Sequence, residues 1–159
     1  MSLRSTAAAG CLIAALSLGV AACGSDSSSS DSGGGTVDVY SSLPLQGASK
    51  AQTGAMVQGM QLAIDQADGK AGDTKVKYTS LNDSTAQAGN WDPAAVASNA
   101  RKAAQDKSAV AYLGEFNSGA SAISIPILNQ AGVGMISPAN TYPGLTTSEP
   151  GTEPGMVYD

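Results

Sequence analysis

Between residues 36 and 137 the chain switches repeatedly between two hydrophobic periods. Thr36–Ser41 (TVDVYS) alternates apolar and polar positions, the two-residue period of a half-buried strand. Leu43-Pro44-Leu45-Gln46-Gly47 interrupts it. Ala51 to Ala67 then spaces Met56, Val57, Met60, Ala63, Ile64 and Ala67 as one helical stripe. Asp68-Gly69 and Ala71-Gly72-Asp73 supply the turn residues that end this helix. Lys75–Leu81 predicts a second strand with Val76 and Tyr78 on one face, and a polar loop follows from Asn82 to Asn90.

Asp92-Pro93 predicts a helix start, with Asp as N-cap and Pro at the first position, where a missing N–H costs nothing. That helix extends to about Gln105 and turns Val96, Ala100, Ala103 and Ala104 inward. Ala109–Leu113 (AVAYL) predicts a third strand. A third helix is expected from about Ser118 to Gln130, carrying Ile123, Ile125, Ile127 and Leu128, with Gly132 just past its end. Pro126 inside it predicts a kink or a short first turn. Val133–Ser137 (VGMIS) predicts a fourth strand, and Ser148 to Gly155 is too rich in Pro and Gly for regular structure.

Strands alternating with helices of this length imply right-handed crossovers and a parallel βαβ sheet, an α/β fold. Four strands and three helices make only the first part of a doubly wound layer. An incomplete lobe is therefore expected within residues 36–159, with the fourth strand at an uncovered edge and marginal stability for this stretch on its own.

The stretch before residue 36 has a different character. Arg4 precedes an apolar run from Ala7 to Val20, centred on Leu12, Ile13, Leu16 and Leu18. A membrane span needs about 20 predominantly apolar residues, and this run is shorter and diluted by Gly and Ser. Residues 1–22 have the three-part layout of a secretory signal. Val20-Ala21-Ala22-Cys23 resembles the lipobox of bacterial lipoproteins, which implies a diacylglycerol on Cys23 and an exported protein anchored to the outer face of the cell membrane. Cys11 lies inside the apolar run with too little hydrophobic sequence before it. With the signal removed Cys23 is the only Cys, so no intrachain disulfide can form. Gly24–Gly35 (GSDSSSSDSGGG) reads as a flexible tether. The expected organisation is a signal at 1–22, a lipidated Cys and tether at 23–35, and a folded region at 36–159.

Composition excludes several chemistries. The chain has 0 His, which removes Ser-His-Asp and Cys-His catalysis and every His-ligated metal site. Its net charge is −5, and loss of Arg4 with the signal leaves 7 basic against 13 acidic residues, or −6. Nucleic acid calls for a basic face, and 4% aromatic residues offers little base stacking, so no nucleic-acid partner is expected. Gly54 and Gly59 have phosphate-loop spacing, but Met60 follows where Lys is needed. Gly132-Val133-Gly134 lacks a third Gly and opens a strand. Ser118 lacks the Gly two positions earlier that a hydrolase nucleophile turn requires. Asp65 and Asp68 share a helix face and read as a solvated edge. No enzyme activity, metal or cofactor is expected.

What remains is a concentration of small polar residues at the carboxyl ends of the predicted strands, where open α/β sheets bind ligands. These are Ser41-Ser42, Gly114-Glu115-Phe116-Asn117-Ser118-Gly119 and Ser137-Pro138-Ala139-Asn140-Thr141. Ser118-Gly119 opens the third helix, whose free N–H groups suit a carboxylate. Thr141 Oγ1 and the Ala139 carbonyl can accept from an ammonium. Together they describe a receptor for a zwitterion such as an amino acid, although the same residues also serve as ordinary turns and caps. Ser118, Ala139 and Thr141 are the principal candidates; Asn117, Gly119, Asn140 and Ser42 are weaker ones.

Tyr112 to Thr141, YLGEFNSGASAISIPILNQAGVGMISPANT, is similar to the corresponding stretch of the leucine/isoleucine/valine-binding proteins. The similarity extends over 36–146, through SSLPLQG, the M-x-x-G-M-x-L-A helix, S-L-N-D-S-T and N-A-R-K-A-A. It implies a type I periplasmic-binding-protein, Rossmann-like fold and the solute-binding subunit of an ABC importer for branched-chain amino acids, partnered by permease subunits. In that family the residue matching Ser118 binds the ligand carboxylate through its hydroxyl and N–H. The position matching Ala139 offers its carbonyl to the ammonium, and that matching Thr141 contacts both ends of the zwitterion. Prototype members carry a disulfide Cys where this chain has Asn117, and the Gly47–Gly54 segment is longer here. Side-chain selectivity and an acidic partner for the ammonium come from the second lobe of the family, outside this stretch. The ligand is thus left open among branched-chain and other amino acids and related amides. A ligand-sensing receptor of the same fold without transport is the alternative, and an exported α/β enzyme a distant third.

Overall fold

Five strands and three helices follow one another in the computed structural model, which describes residues 34–146. In chain order they are β1 (Thr36–Leu43), α1 (Lys50–Gln66), β2 (Lys70–Ala71), β3 (Thr74–Asn82), α2 (Pro93–Gln105), β4 (Ala109–Leu113), α3 (Ser118–Ala131) and β5 (Gly134–Ile136). A 3₁₀ turn at Pro143–Leu145 follows. The predicted signal, Cys23 and the tether as far as residue 33 lie outside the described residues, as does the Ser148–Gly155 stretch.

The sheet order is β2-β3-β1-β4-β5. β1 runs parallel to both neighbours, with Val39 opposite Tyr78 of β3 and Tyr40 opposite Tyr112 of β4. β5 adds in parallel to β4, pairing Met135 with Tyr112, and is an edge strand among the described residues. The expected α/β architecture is the one observed. β2 was not expected: Lys70-Ala71 folds back through Gly72, at φ 61°, onto Thr74 and Lys75. Two residues are too few to carry an alternation, so the pattern reads this hairpin only as a turn.

Local chemistry sets the ends of the helices. Asp92 Oδ1 accepts from the Ala94 and Ala95 N–H groups at 3.0 and 2.9 Å, satisfying two of the donors left over in the first turn of α2. Gly132, at φ 72°, ends α3 in the left-handed conformation. Pro126 sits in the second half of α3, not at a first turn.

α2 and α3 cover one face of the sheet. Tyr40, Ala100, Ala103, Tyr112, Leu128 and Val133 form the core there, packed by Leu81, Ala109, Ile127 and Met135. Both buried tyrosines find acceptors, as buried phenols must: Tyr40 Oη donates to Asp106 Oδ2 at 2.6 Å, and Tyr112 Oη to Glu115 Oε1 at 2.9 Å. Lys77 Nζ pairs with Asp38 at 2.8 Å near the start of β1.

α1 lies against β3 on the opposite face. Tyr78 Oη shares a 2.6 Å hydrogen bond with Ser41 Oγ and lies 3.4 Å from Met60 Sδ. The stripe expected to bury on α1 is only half-buried at Met56, Val57, Met60 and Ile64, while Ala63 and Ala67 are exposed. Its one fully buried residue is Thr53, whose hydroxyl donates to the Pro44 carbonyl at 2.6 Å. No described helix covers this face beyond β3, and Ile136 of β5 is 66% exposed.

Candidate functional site

The carboxyl ends of β1, β3, β4 and β5 emerge on one edge of the sheet and are stitched together by side chains. Asn82 Oδ1 accepts from the Leu45 N–H at 2.8 Å, and Ser84 Oγ from the Gln46 N–H at 2.9 Å, joining the segments after β3 and β1. Asn99 of α2 donates to Ser42 Oγ and to the Asn82 carbonyl. Ser137 Oγ, just past β5, donates to the Glu115 carbonyl at 2.7 Å and accepts from the N–H groups of Ala139 and Asn140. Asn140 Nδ2 donates to Ser121 Oγ, which also receives the Glu115 N–H. The loop after β4 and the loop after β5 are therefore one hydrogen-bonded unit.

Ser118 stands at the first position of α3, after Asn117 in extended conformation. The Asn117 carbonyl takes the N–H groups of Ala120 and Ser121, and among the described residues neither the Ser118 nor the Gly119 N–H has a protein acceptor. Two donors at the positive end of a helix form a place for an anion. Ser118, Ala139 and Asn140 are half-buried and Thr141 is exposed. The amide oxygens of Asn117 and Asn140 are buried without a donor.

The Asn140–Ser121 and Ser137–Glu115 bonds bring the Ala139–Thr141 loop onto the turn that carries Ser118. Ser42 is placed differently. It is fully buried and its hydroxyl serves Asn99, so it supports the edge from beneath. A groove of about 540 Å³ between α3, β5 and the 3₁₀ turn is lined by Leu128, Met135, Ser137, Asn140, Tyr142 and Leu145 among others. It shares Ser137 and Asn140 with the loop unit but is not lined by Ser118, Ala139 or Thr141.

Several residues of this edge have no counterpart among the candidates read from the sequence. Trp91 packs its ring on the start of α3, where a Cβ on Gly119 would lie 2.9 Å from the ring. Gly114 passes the backbone of β1 so closely that a Cβ there would stand 2.6 Å from the Ser42 carbonyl oxygen. Asp83 and Glu115 are both fully buried. Burial, and after it the facing Asp83 carboxyl, push the Glu115 carboxyl up to about 9. Burial also raises Asp83, and burial together with the Glu115 charge raises the Tyr112 phenol. The signals in the sequence were the single Trp of the chain, the place of Gly114 and Glu115 in the polar segment that ends the third predicted strand, and that of Asp83 in a polar loop.

Among the described residues no group of three acidic or thiol side chains is placed to hold a metal ion, and no helix is long and apolar enough to cross a membrane. No family model matches the sequence, and no curated protein matches it. Solved structures do. The branched-chain amino acid transporter substrate-binding protein LivJ from Streptococcus pneumoniae, in complex with isoleucine, superposes with a TM-score of 0.60 at 26% identity over 69% of this chain and 30% of its own. The leucine-binding protein LivK from Thermotoga maritima gives 0.57 at 24% identity, over 66% of this chain and 28% of its own. A benzoate-bound solute-binding protein of an ABC transporter from R. palustris gives 0.59 at 20% identity, over 69% and 29%. This chain thus spans about three tenths of the length of the structures it resembles. These neighbours are ABC-transporter solute-binding proteins rather than enzymes, and the described residues share with them the type I periplasmic-binding-protein fold.

Proposed function

We propose that this chain carries the first-lobe half of the ligand site of an extracytoplasmic solute-binding subunit of an ABC importer, and that the ligand is an amino acid of the branched-chain type or a related amide. The observation that carries the reading is the pair of unused N–H groups at Ser118 and Gly119, held beside the Ala139–Thr141 loop by the Ser121–Asn140 bond. Those donors suit a carboxylate. Isoleucine and benzoate, bound by two of the structural neighbours, have that group in common. The Ala139 carbonyl and Thr141 Oγ1 are the acceptors proposed for an ammonium, and a second lobe would close over the ligand from the other side by a hinge motion.

Residues 1–22 as a signal, Cys23 as the lipidated residue and 24–35 as a tether complete the proposed organisation. They would hold the binding region near permease subunits at the outer face of the membrane. Isothermal calorimetry of the full-length protein against a panel of amino acids, their amides and aromatic carboxylates tests the reading. Saturable binding of an aliphatic amino acid or amide is expected, with loss of binding for its carboxyl ester. Absence of binding to every amino acid and amide in the panel would overturn it.

A further inference from the structure

Asp83 and Glu115 face each other, and among the described residues no basic side chain pairs with either. Asp83 follows β3; its N–H donates to the Leu43 carbonyl and its own carbonyl accepts from Asp92, so its backbone is fixed on both sides. Both of its carboxylate oxygens are buried without a donor. Glu115 follows β4; one oxygen takes the Tyr112 hydroxyl and the other is buried without a donor. The two carboxyls lie within hydrogen-bonding reach of each other.

The elements packed around the pair supply nothing to neutralise it. From β4 comes the Tyr112 phenol and from β1 the Ser42 hydroxyl. α2 contributes the neutral Asn99 to this edge, and its two cations, Arg101 and Lys102, are exposed. α3 contains no titratable side chain. Asp38 of β1 is at the opposite end of the sheet, paired with Lys77.

Two like charges do not persist side by side away from water. One proton between them converts the repulsion into a short, charge-assisted O–H···O hydrogen bond. A bound cation would do the same, and the test below distinguishes the two; among the described residues no third acidic or thiol side chain joins the pair. We propose that Asp83 and Glu115 share a single proton, and that this clasp ties the loop after β3 to the loop after β4 and so positions Ser118. Glu115 is a positioning residue: its N–H and carbonyl hold Ser121 and Ser137, the two residues that join the loop unit of the candidate site. Loss of the proton in alkaline solution leaves two facing anions, and the loops part. The effect on binding rests on the ligand site proposed above, whereas the clasp itself does not.

The test compares the full-length protein with E115Q and D83N, in each of which an amide N–H replaces the shared proton permanently. Carboxyl-carbon NMR is expected to show Glu115 titrating several units above the usual value of about 4.3 for an exposed Glu. The melting temperature of the unmodified protein falls between about pH 6 and about pH 9.5, while at least one amide variant holds a flatter profile. Affinity for the best amino acid of the calorimetry panel drops roughly tenfold across that interval in the unmodified protein and about twofold or less in the flat variant. Should one variant fail to fold, the other and the NMR titration still decide.

Ordinary titration of Glu115, the same pH slope in every variant, or saturable stabilisation by sodium, potassium or calcium would each overturn the shared proton. Should no amino acid bind at any pH, the proposed function fails while the NMR and melting profiles still decide the clasp. A clasp that titrates as expected while affinity stays flat overturns the coupling to Ser118.

Discussion

Ser137 Oγ donates to the carbonyl of Glu115 at 2.7 Å across 22 residues of chain, while accepting from the N–H groups of Ala139 and Asn140. One hydroxyl therefore shapes the turn after β5 and fixes it to the turn after β4. Ser137→Ala removes all three bonds from a half-buried position and leaves their partners to find water. A loss of about 1–3 kcal/mol in unfolding free energy is expected, measured by urea denaturation. Ligand affinity in the full-length protein should fall as well, because the Ala139 carbonyl loses its support.

Gly114 has no room for a side chain. The Cβ of Gly114→Ala would sit 2.6 Å from the backbone oxygen of Ser42, and a backbone atom in a central strand cannot swing away. The variant should lose about 1–3 kcal/mol, the usual range for overpacking, seen as a lower urea midpoint. A control substitution at Gly54, where a Cβ meets nothing within 4 Å, should stay within about 0.5 kcal/mol or gain slightly from helix propensity.

Thr141 is exposed, so its replacement separates binding from folding. Thr141→Ala in the full-length protein should leave the melting temperature almost unchanged. It should weaken amino-acid binding by about 1–3 kcal/mol, the cost of leaving charged ligand groups unpaired. An unaltered dissociation constant in calorimetry would remove Thr141 from the site.

The Tyr40–Asp106 bond should make stability depend on pH at both extremes. The hydrogen bond to Asp106, with burial adding to it, pushes the Tyr40 phenol up to about 12, so its contribution is whole below the ordinary value of 10.0 and lost as pH rises through about 12. The same bond holds the Asp106 carboxyl below its ordinary value, so that contribution is present above 3.8 and lost as pH falls through the lowered value. Tyr40→Phe should flatten both limbs, read from melting temperature against pH and, on the alkaline side, from phenolate absorbance.

Cys23→Ser should release the protein from the membrane. If the thiol carries the lipid, expression of the full-length gene with this change moves the protein from the membrane fraction to the soluble exported fraction. Mass spectrometry of the unchanged protein should find a diacylglycerol on an N-terminal Cys. An unmodified Cys23, or membrane retention of the variant, would contradict the anchor.

What the sequence disclosed and what it hid follow from the range of the forces involved. α2 begins at Pro93 and α3 is ended by Gly132 as expected, because a capping carboxylate and a residue free to adopt positive φ act within one turn of where they stand. The strand–helix alternation was equally legible, since each period is written in consecutive residues. The pattern could not show how deeply α1 would bury, because that depends on which neighbour lies over the far face of the sheet. Asp83 and Glu115 were hidden for the same reason: a carboxylate in a polar loop reads as solvated, and only the approach of two strands far apart in sequence puts it in the dark. Of the candidate site, Ser118 and the Ala139–Thr141 turn were legible as polar strand ends. The side chains that join them, Ser121 and Ser137, look like any other small helix or turn residue.

The central strand of the sheet also has a history. β1 precedes both of its partners, and its register with β3 joins residues such as Val39 and Tyr78, 39 positions apart. During synthesis the two hydrogen-bonding edges of β1 leave the ribosome well before β3 and longer still before β4. Non-local pairing of this kind makes folding slow and leaves the waiting strand open to wrong partners. If the proposed signal at residues 1–22 takes the chain across a membrane unfolded, that delay serves the crossing. The same sheet order that gathers the loops at one edge leaves the pairing of the central strand incomplete until β4 has been made.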